Sequence, residues 1–417
     1  MLTSSTRNDA RSGCRGVLLA VGVVLALLAG AFAIKGIRAV THRVSGAGEV
    51  ARGTGREWVA SLPGPWGELE QVRIAIERPD EFITLSKTFK GQDRWFFQGY
   101  STDQLAAFFQ TNALTRAQRE VLLDRGHWGI QSNGITVIPD PTTILDLKPE
   151  ARQRIYNVLA ESPENYYQYL AFRYREDGFS EWFNRSGLSD EVMGLVKPLL
   201  YRRGTALCFS DLNEVLARIA SPDEQRRLVK TLSRVSTLLV RLKVGPDTDV
   251  GALVRYWGKE GRAKDLNPLL QSLANLPDGG LLDVAHLLPP FARMRLYTYP
   301  FPSEDPHAAH RDCFWSSMNF FAEEPDDRFC EFAATQEAIR SQYYPIQDEP
   351  TYGDILWLVN DQGRAVHAAV YIAADIVFTK NGARFDQPWV LMQLRDLLAV
   401  FTSERPLRLV AYRLKNV

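Results

Sequence analysis

Cysteine is scarce in this chain: four in 417 residues, at positions 14, 208, 313 and 330, with no C-x-x-C pair and no zinc-type His/Cys spacing. That excludes a disulfide scaffold and argues against a structural metal. Charge of either sign is not in excess, since 49 Lys plus Arg balance 49 Asp plus Glu. No overall field draws the chain to nucleic acid or to an acidic surface. Internal repeats and low-complexity tracts are missing as well. Long hydrophobic runs are absent with one exception.

The exception is residues 16–34, which carry no charged or strongly polar side chain, and about 20 such residues let a helix cross a hydrocarbon core. The expectation is a single N-terminal transmembrane helix, after a tail at 1–15. Ala31-Phe32-Ala33 also fits a small-x-small cleavage site, so a removed signal peptide is the alternative. Arg7, Arg11 and Arg15 before the run are matched by Lys35, Arg38 and Arg43 after it, and charge barely chooses an orientation. Either reading exports the body, and the expected location is the inner membrane with the body on the periplasmic side. Cysteines 208, 313 and 330 would then lie outside the cytoplasm, an odd number that leaves a free thiol and leaves open whether Cys208 and Cys330 pair.

Residues 35–57, rich in Gly, Arg and small side chains without an apolar period, read as a stalk. A mixed α/β region is expected at 58–147, with strands over 72–76, 95–100 and 135–138. Residues 148–290 read as mainly helical. Helix-start signals include Ser101-x-x-Gln104, Thr115-x-x-Gln118, Ser162-Pro163 and Ser221-Pro222. Leu228, Val229, Leu232, Val235, Leu239 and Leu242 fit one face of a helix ending at Gly245-Pro246. Its other face holds Arg226, Arg227, Lys230, Arg234 and Arg241, read as solvated, with anionic lipid or cell-wall polymer as the alternative partner. The function of this helical region, and any protein partner of it, stays unknown.

From 291 to 417 the pattern becomes α+β: a short helix opening at Cys313, then strands over 354–359, 365–372, 376–380 and 407–413, with a turn at 360–363. A helix N-terminus and a neighbouring imidazole both lower a thiol pKa. Cys313 supplies the first, and His367 is the candidate for the second. A polar group usually orients such an imidazole. If residues 373–375 form a hairpin loop, residue 372 pairs with 376 and His367 stands opposite Asn381. Thr379 shares that face and is the second choice for the third member. Asp305, His307, His310 and Asp312 form a loop cluster without helical ligand spacing, so neither a metal nor a cofactor is expected.

The order Asp312-Cys313, then Gly353-Asp354-Ile355-Leu356-Trp357, then His367-Ala-Ala-Val-Tyr-Ile372 resembles the NlpC-type papain-fold cysteine peptidases over residues 295–417. The resemblance implies a papain-like domain with a helix packed on an antiparallel sheet. It also implies hydrolysis of amide bonds in peptidoglycan stem peptides, with Cys313 as nucleophile, His367 as base and acid, and a third polar residue near 379–381. Tyr297 or Tyr299 would stand beside the oxyanion. Phe314-Trp315 in place of the family's Ser-Gly favours the alternative of a non-catalytic scaffold that binds a partner in the envelope. An acyltransferase using the same dyad is a third reading.

Overall fold

The computed structural model describes residues 57–85, 93–175, 183, 185–302, 311–401 and 407–415. The expected tail, membrane segment and most of the stalk fall outside these residues, as do Asp305, His307 and His310. Among the described residues no helix is long and apolar enough to cross a membrane.

Four antiparallel sheets organise the described chain, with strands numbered in chain order. The first runs β1 (Val59–Ala60), β2 (Glu68–Ile76), β9 (Val235–Val244), β10 (Gly280–Asp283). Two small sheets run β3 (Trp95–Gln98), β5 (Gly134–Val137), β4 (Trp128–Gln131), and β6 (Phe172–Arg175), β8 (Ala206–Phe209), β7 (Tyr201–Arg203). The fourth, six-stranded, runs β11 (Tyr343–Ile346), β16 (Arg408–Leu414), β12 (Ile355–Val359), β13 (Ala365–Ala373), β14 (Ile376–Lys380), β15 (Trp389–Gln393).

The α+β class therefore stands, but the expected architecture needs correction. No membrane helix is found among the described residues, and the stretch 148–290, though richer in helix than in strand, also contributes β6 to β10. The C-terminal sheet is also not a separate papain-like unit. Its Val370, Ile372, Phe378 and Leu391 share one core with Leu69, Leu238, Val240 and Leu242 of β2 and β9.

Local chemistry explains which helix signals hold. Helices α1 (Thr102–Thr111) and α2 (Arg116–Leu122) begin at full capping boxes, Ser101 with Gln104 and Thr115 with Gln118, each satisfying two orphan N–H groups. Ser162-Pro163 opens no such helix. Helix α3 (Pro149–Leu159) starts with Pro at its first position. Helix α4 (Pro222–Leu232) is capped by Ser221, but it stops ten residues short of Leu242, and β9 begins at Val235. Leu228, Val229 and Leu232 obey the helical period, whereas Leu238, Val240, Leu242 and Val244 obey period two and are buried. Antiparallel pairing with the whole of β2 sets the strand, and Leu239 and Leu242, which would share a helix face, leave β9 by opposite faces.

The large core is closed by α5 (Val250–Trp257) and α6 (Ala263–Ala274), with α7 (Pro290–Arg295) following β10. Helix α8 (Cys313–Met318) lies on the same face of the six-stranded sheet, and α9 (Phe332–Gln342) follows it. The opposite face is covered by α10 (Leu394–Val400). Beyond α10 sits the middle of the chain, held by buried Asp396, which takes both Arg73 of β2 (2.6 Å) and Arg175 of β6. The Arg226-to-Arg241 series forms no free cationic stripe. Arg226 pairs with Asp223, Lys230 with Asp80, Arg234 with Glu77, Arg241 with Glu70, and Arg227 donates to the Gly187 carbonyl.

Candidate functional site

Helix α8 starts where the sequence places it. Asp312 caps it, accepting from Phe314 N (2.8 Å) and Trp315 N (3.1 Å), so Cys313 is its first residue. The thiol is 4 % exposed and packs among Ile339, Ile355, Trp357, Val359, Ala365 and Ala368. Burial, reinforced by the Asp312 carboxylate, pushes it well above the ordinary thiol range. The Ala368 N–H and Lys380 oppose this only in part. Cys313 is thus held as a thiol, the inert state of a buried cysteine.

His367 lies on β13 as expected, and the hairpin register is the expected one: Val370 pairs with Phe378 and Tyr371 with Val377. The loop is Ala374-Asp375 with a bulge before it, and Ala374 adopts φ 53°. In a strand, alternate side chains leave by opposite faces. Ala368, Val370 and Ile372 face the clusters of α8 and the large core. Ala369 and Tyr371 face α10, and His367 shares their parity. Its ring stacks on Phe401, just past α10, with centroids 3.8 Å apart and planes 18° apart. The sheet itself therefore stands between the Cys313 thiol and the His367 ring, and the expected dyad is not assembled.

The other expected members are equally informative. Thr379, the second choice, is the residue bonded to His367, at 3.0 Å from Nε2. Asn381 lies just past β14 and donates to Met392 Sδ at 3.5 Å rather than to the ring. Tyr297 donates to the Leu238 carbonyl (2.7 Å), while Tyr299 donates to the carbonyls of Ile76 (3.0 Å) and Ser233 (2.9 Å). Both hydroxyls tie the C-terminal segment to β2, β9 and their approach, and neither serves a thiol. Burial lowers His367 to about 3, helped by Arg173, whose guanidinium lies on the Phe401 ring at 5.6 Å. A base for proton transfer near neutral pH needs a far higher value.

No family model, no curated protein and no solved structure matches this chain. The residues alone carry the reading. Among the described residues no group of three His, Cys, Asp or Glu side chains is placed to hold a metal ion. Cys208 and Cys313 are free thiols, so Cys208 does not pair with Cys330.

The polar neighbour of Cys313 is one that the sequence reasoning missed. Continuing the register by two residues sets Lys380 across from Ala368, on the thiol's face. Its ammonium is buried, donates to the carbonyls of Gly382 and Arg384, and lies 5.8 Å from the Trp389 ring centroid. Burial lowers Lys380 to about 8, against the pull of Asp312 and Asp386. The signal was available: in Ile376-Val-Phe-Thr-Lys380, the lysine has the parity of Ile376 and Phe378. Two carbonyl partners make it a brace for the 381–386 loop.

The Gly353-Asp354 pair is structural too. Gly353 sits at φ 87°, where a Cβ would stand 2.4 Å from ring atoms of Phe321. Asp354 accepts from Arg413 (Nε 3.0 Å, Nη2 2.7 Å) and from Thr351 N, locking β12 to β16.

Proposed function

We propose that this chain is a non-catalytic binding protein, an α+β scaffold in which Cys313 and His367 are structural. One observation carries the reading: the thiol, on α8, and the imidazole, on β13, lie against opposite faces of the six-stranded sheet, each buried in its own core. Its support is chemical as well, since burial keeps the thiol protonated and the imidazole neutral. A nucleophile needs the reverse at Cys313 and a base within reach.

The experiment is thiol alkylation of the folded full-length chain near neutral pH, read by mass spectrometry. Cys330, which is only partly buried and has its thiol pushed up to about 11, reacts slowly. Cys313 stays unlabelled until denaturant is added. Rapid labelling of Cys313 that disappears in His367→Ala would overturn the proposal and restore the hydrolase reading.

A further inference from the structure

Away from Cys313, a cavity of about 320 Å³ lies where the start of α6 meets the 3-10 turn Val284–Leu287 and α7. Its volume is near the lower end of small-molecule pockets, which run roughly 300–1,000 Å³. The floor is aliphatic, from buried Leu266 and Leu288, and Leu269, 37 % exposed, continues that surface outward. Among the described residues no Phe, Tyr or Trp lines it.

The rim is cationic. Arg262 is held in place by donating to the carbonyls of Leu287 and His286. Arg293 and His286 line the same cavity, and neither side chain makes a hydrogen bond or ion pair among the described residues. The one acid at the rim, Asp265, lies in the first turn of α6, where the helix end favours a carboxylate. Two guanidiniums therefore face one acid that the helix already stabilises.

We infer that this cavity binds a small amphipathic carboxylate, with an aliphatic chain on the leucine floor and the carboxylate at Arg293 and Arg262. Planar guanidinium forks match carboxylate geometry. An aliphatic floor of this size rewards a short saturated chain by taking its methylenes out of water. The inference goes beyond the role given to Cys313 and does not depend on it, so thiol labelling and ligand titration fail separately.

The test is calorimetric titration of the full chain with sodium octanoate, n-octanol and sodium acetate. The expected result is saturable binding of one octanoate, with octanol and acetate each at least tenfold weaker. Arg293→Glu and Leu269→Asp should each weaken octanoate at least tenfold, with unchanged thermal melts because both side chains are exposed. No octanoate binding, or octanoate binding unaffected by Arg293→Glu, overturns the site. Octanol or acetate binding as tightly as octanoate overturns the amphipathic chemistry.

Discussion

Thr379 fixes the tautomer of His367. The threonine hydroxyl donates to the Ala368 carbonyl (3.1 Å) and so can only accept from the ring nitrogen 3.0 Å away. His367 therefore carries its proton on Nε2 and leaves Nδ1 bare, buried and without a partner among the described residues. A catalytic imidazole has one nitrogen facing the nucleophile and the other facing its orienting group. Here one nitrogen is spent on a structural threonine, and neither faces sulfur.

That arrangement gives a stability signature in acid. The folded pKa of His367, about 3, lies below its ordinary 6.5, so between these values the unfolded chain binds the extra proton and stability falls as pH falls. Asp93 has the opposite sign. Burial, with Asp211 and Glu214 nearby, raises it to about 7, so the folded chain holds the extra proton and stability falls as pH rises from about 4 to 7. Each term changes by about 1.4 kcal/mol per pH unit inside its window. Denaturant unfolding at pH 4.5 to 6.5 should show the two slopes offsetting each other. His367→Leu should leave the downward slope of Asp93 and Asp93→Asn the upward slope of His367; identical profiles for all three proteins would refute both assignments.

Cys313→Ala should cost about 1 kcal/mol, the order of one buried methyl-sized group, and leave octanoate binding untouched. Equilibrium unfolding and calorimetry on the same preparation check both halves. Loss of ligand binding at unchanged stability would tie the thiol to function after all.

Gly353→Ala should be among the more damaging small substitutions in the C-terminal sheet, at roughly 2 kcal/mol or more. It forces an L residue to positive φ and drives a methyl into the Phe321 ring. A melting temperature within error of the parent would show that the strand entry relaxes freely.

In the middle of the chain, Arg152 and Asp211 form a fully buried ion pair, and the Tyr156 hydroxyl donates to the same carboxylate. Asp211→Ala leaves a guanidinium uncompensated in the core, a loss of about 3–5 kcal/mol. Chemical denaturation reads it, and Asp211→Asn should recover part of the loss by keeping an acceptor for Arg152.

Much of the hairpin around the candidate site was legible. Alternation located β12, β13, β14 and β16, and the expected pairing set His367 across from Asn381, in the register that Val370 and Phe378 show. What stayed hidden was which way β13 faces. From Ala368 to Ala373 it is buried on both sides, so no polar face marks one side as outward, and a shift at Leu358/Val359 disturbs its pairing with β12. Leu239 and Leu242 show a related limit: three residues apart they fit one helix face, whereas in β9 only Leu242 joins the buried face and Leu239 points the other way. The Asp312 cap was readable because its chemistry is local, whereas the Phe401 lid over His367 comes from 34 residues further along the chain.

Asp396 binds Arg73 and Arg175, and Thr237 of β9 exchanges hydrogen bonds with the backbone of Leu391 on β15 (2.9 and 3.1 Å). The largest core thus needs residues from both early and late in the chain. During synthesis β2 and β9 will leave the ribosome with an apolar face that nothing can yet cover, and they wait for β13 to β15. Such distant pairing slows folding and leaves an aggregation-prone interval, so this protein should depend on holding chaperones, and C-terminal truncations should precipitate rather than yield a soluble fragment.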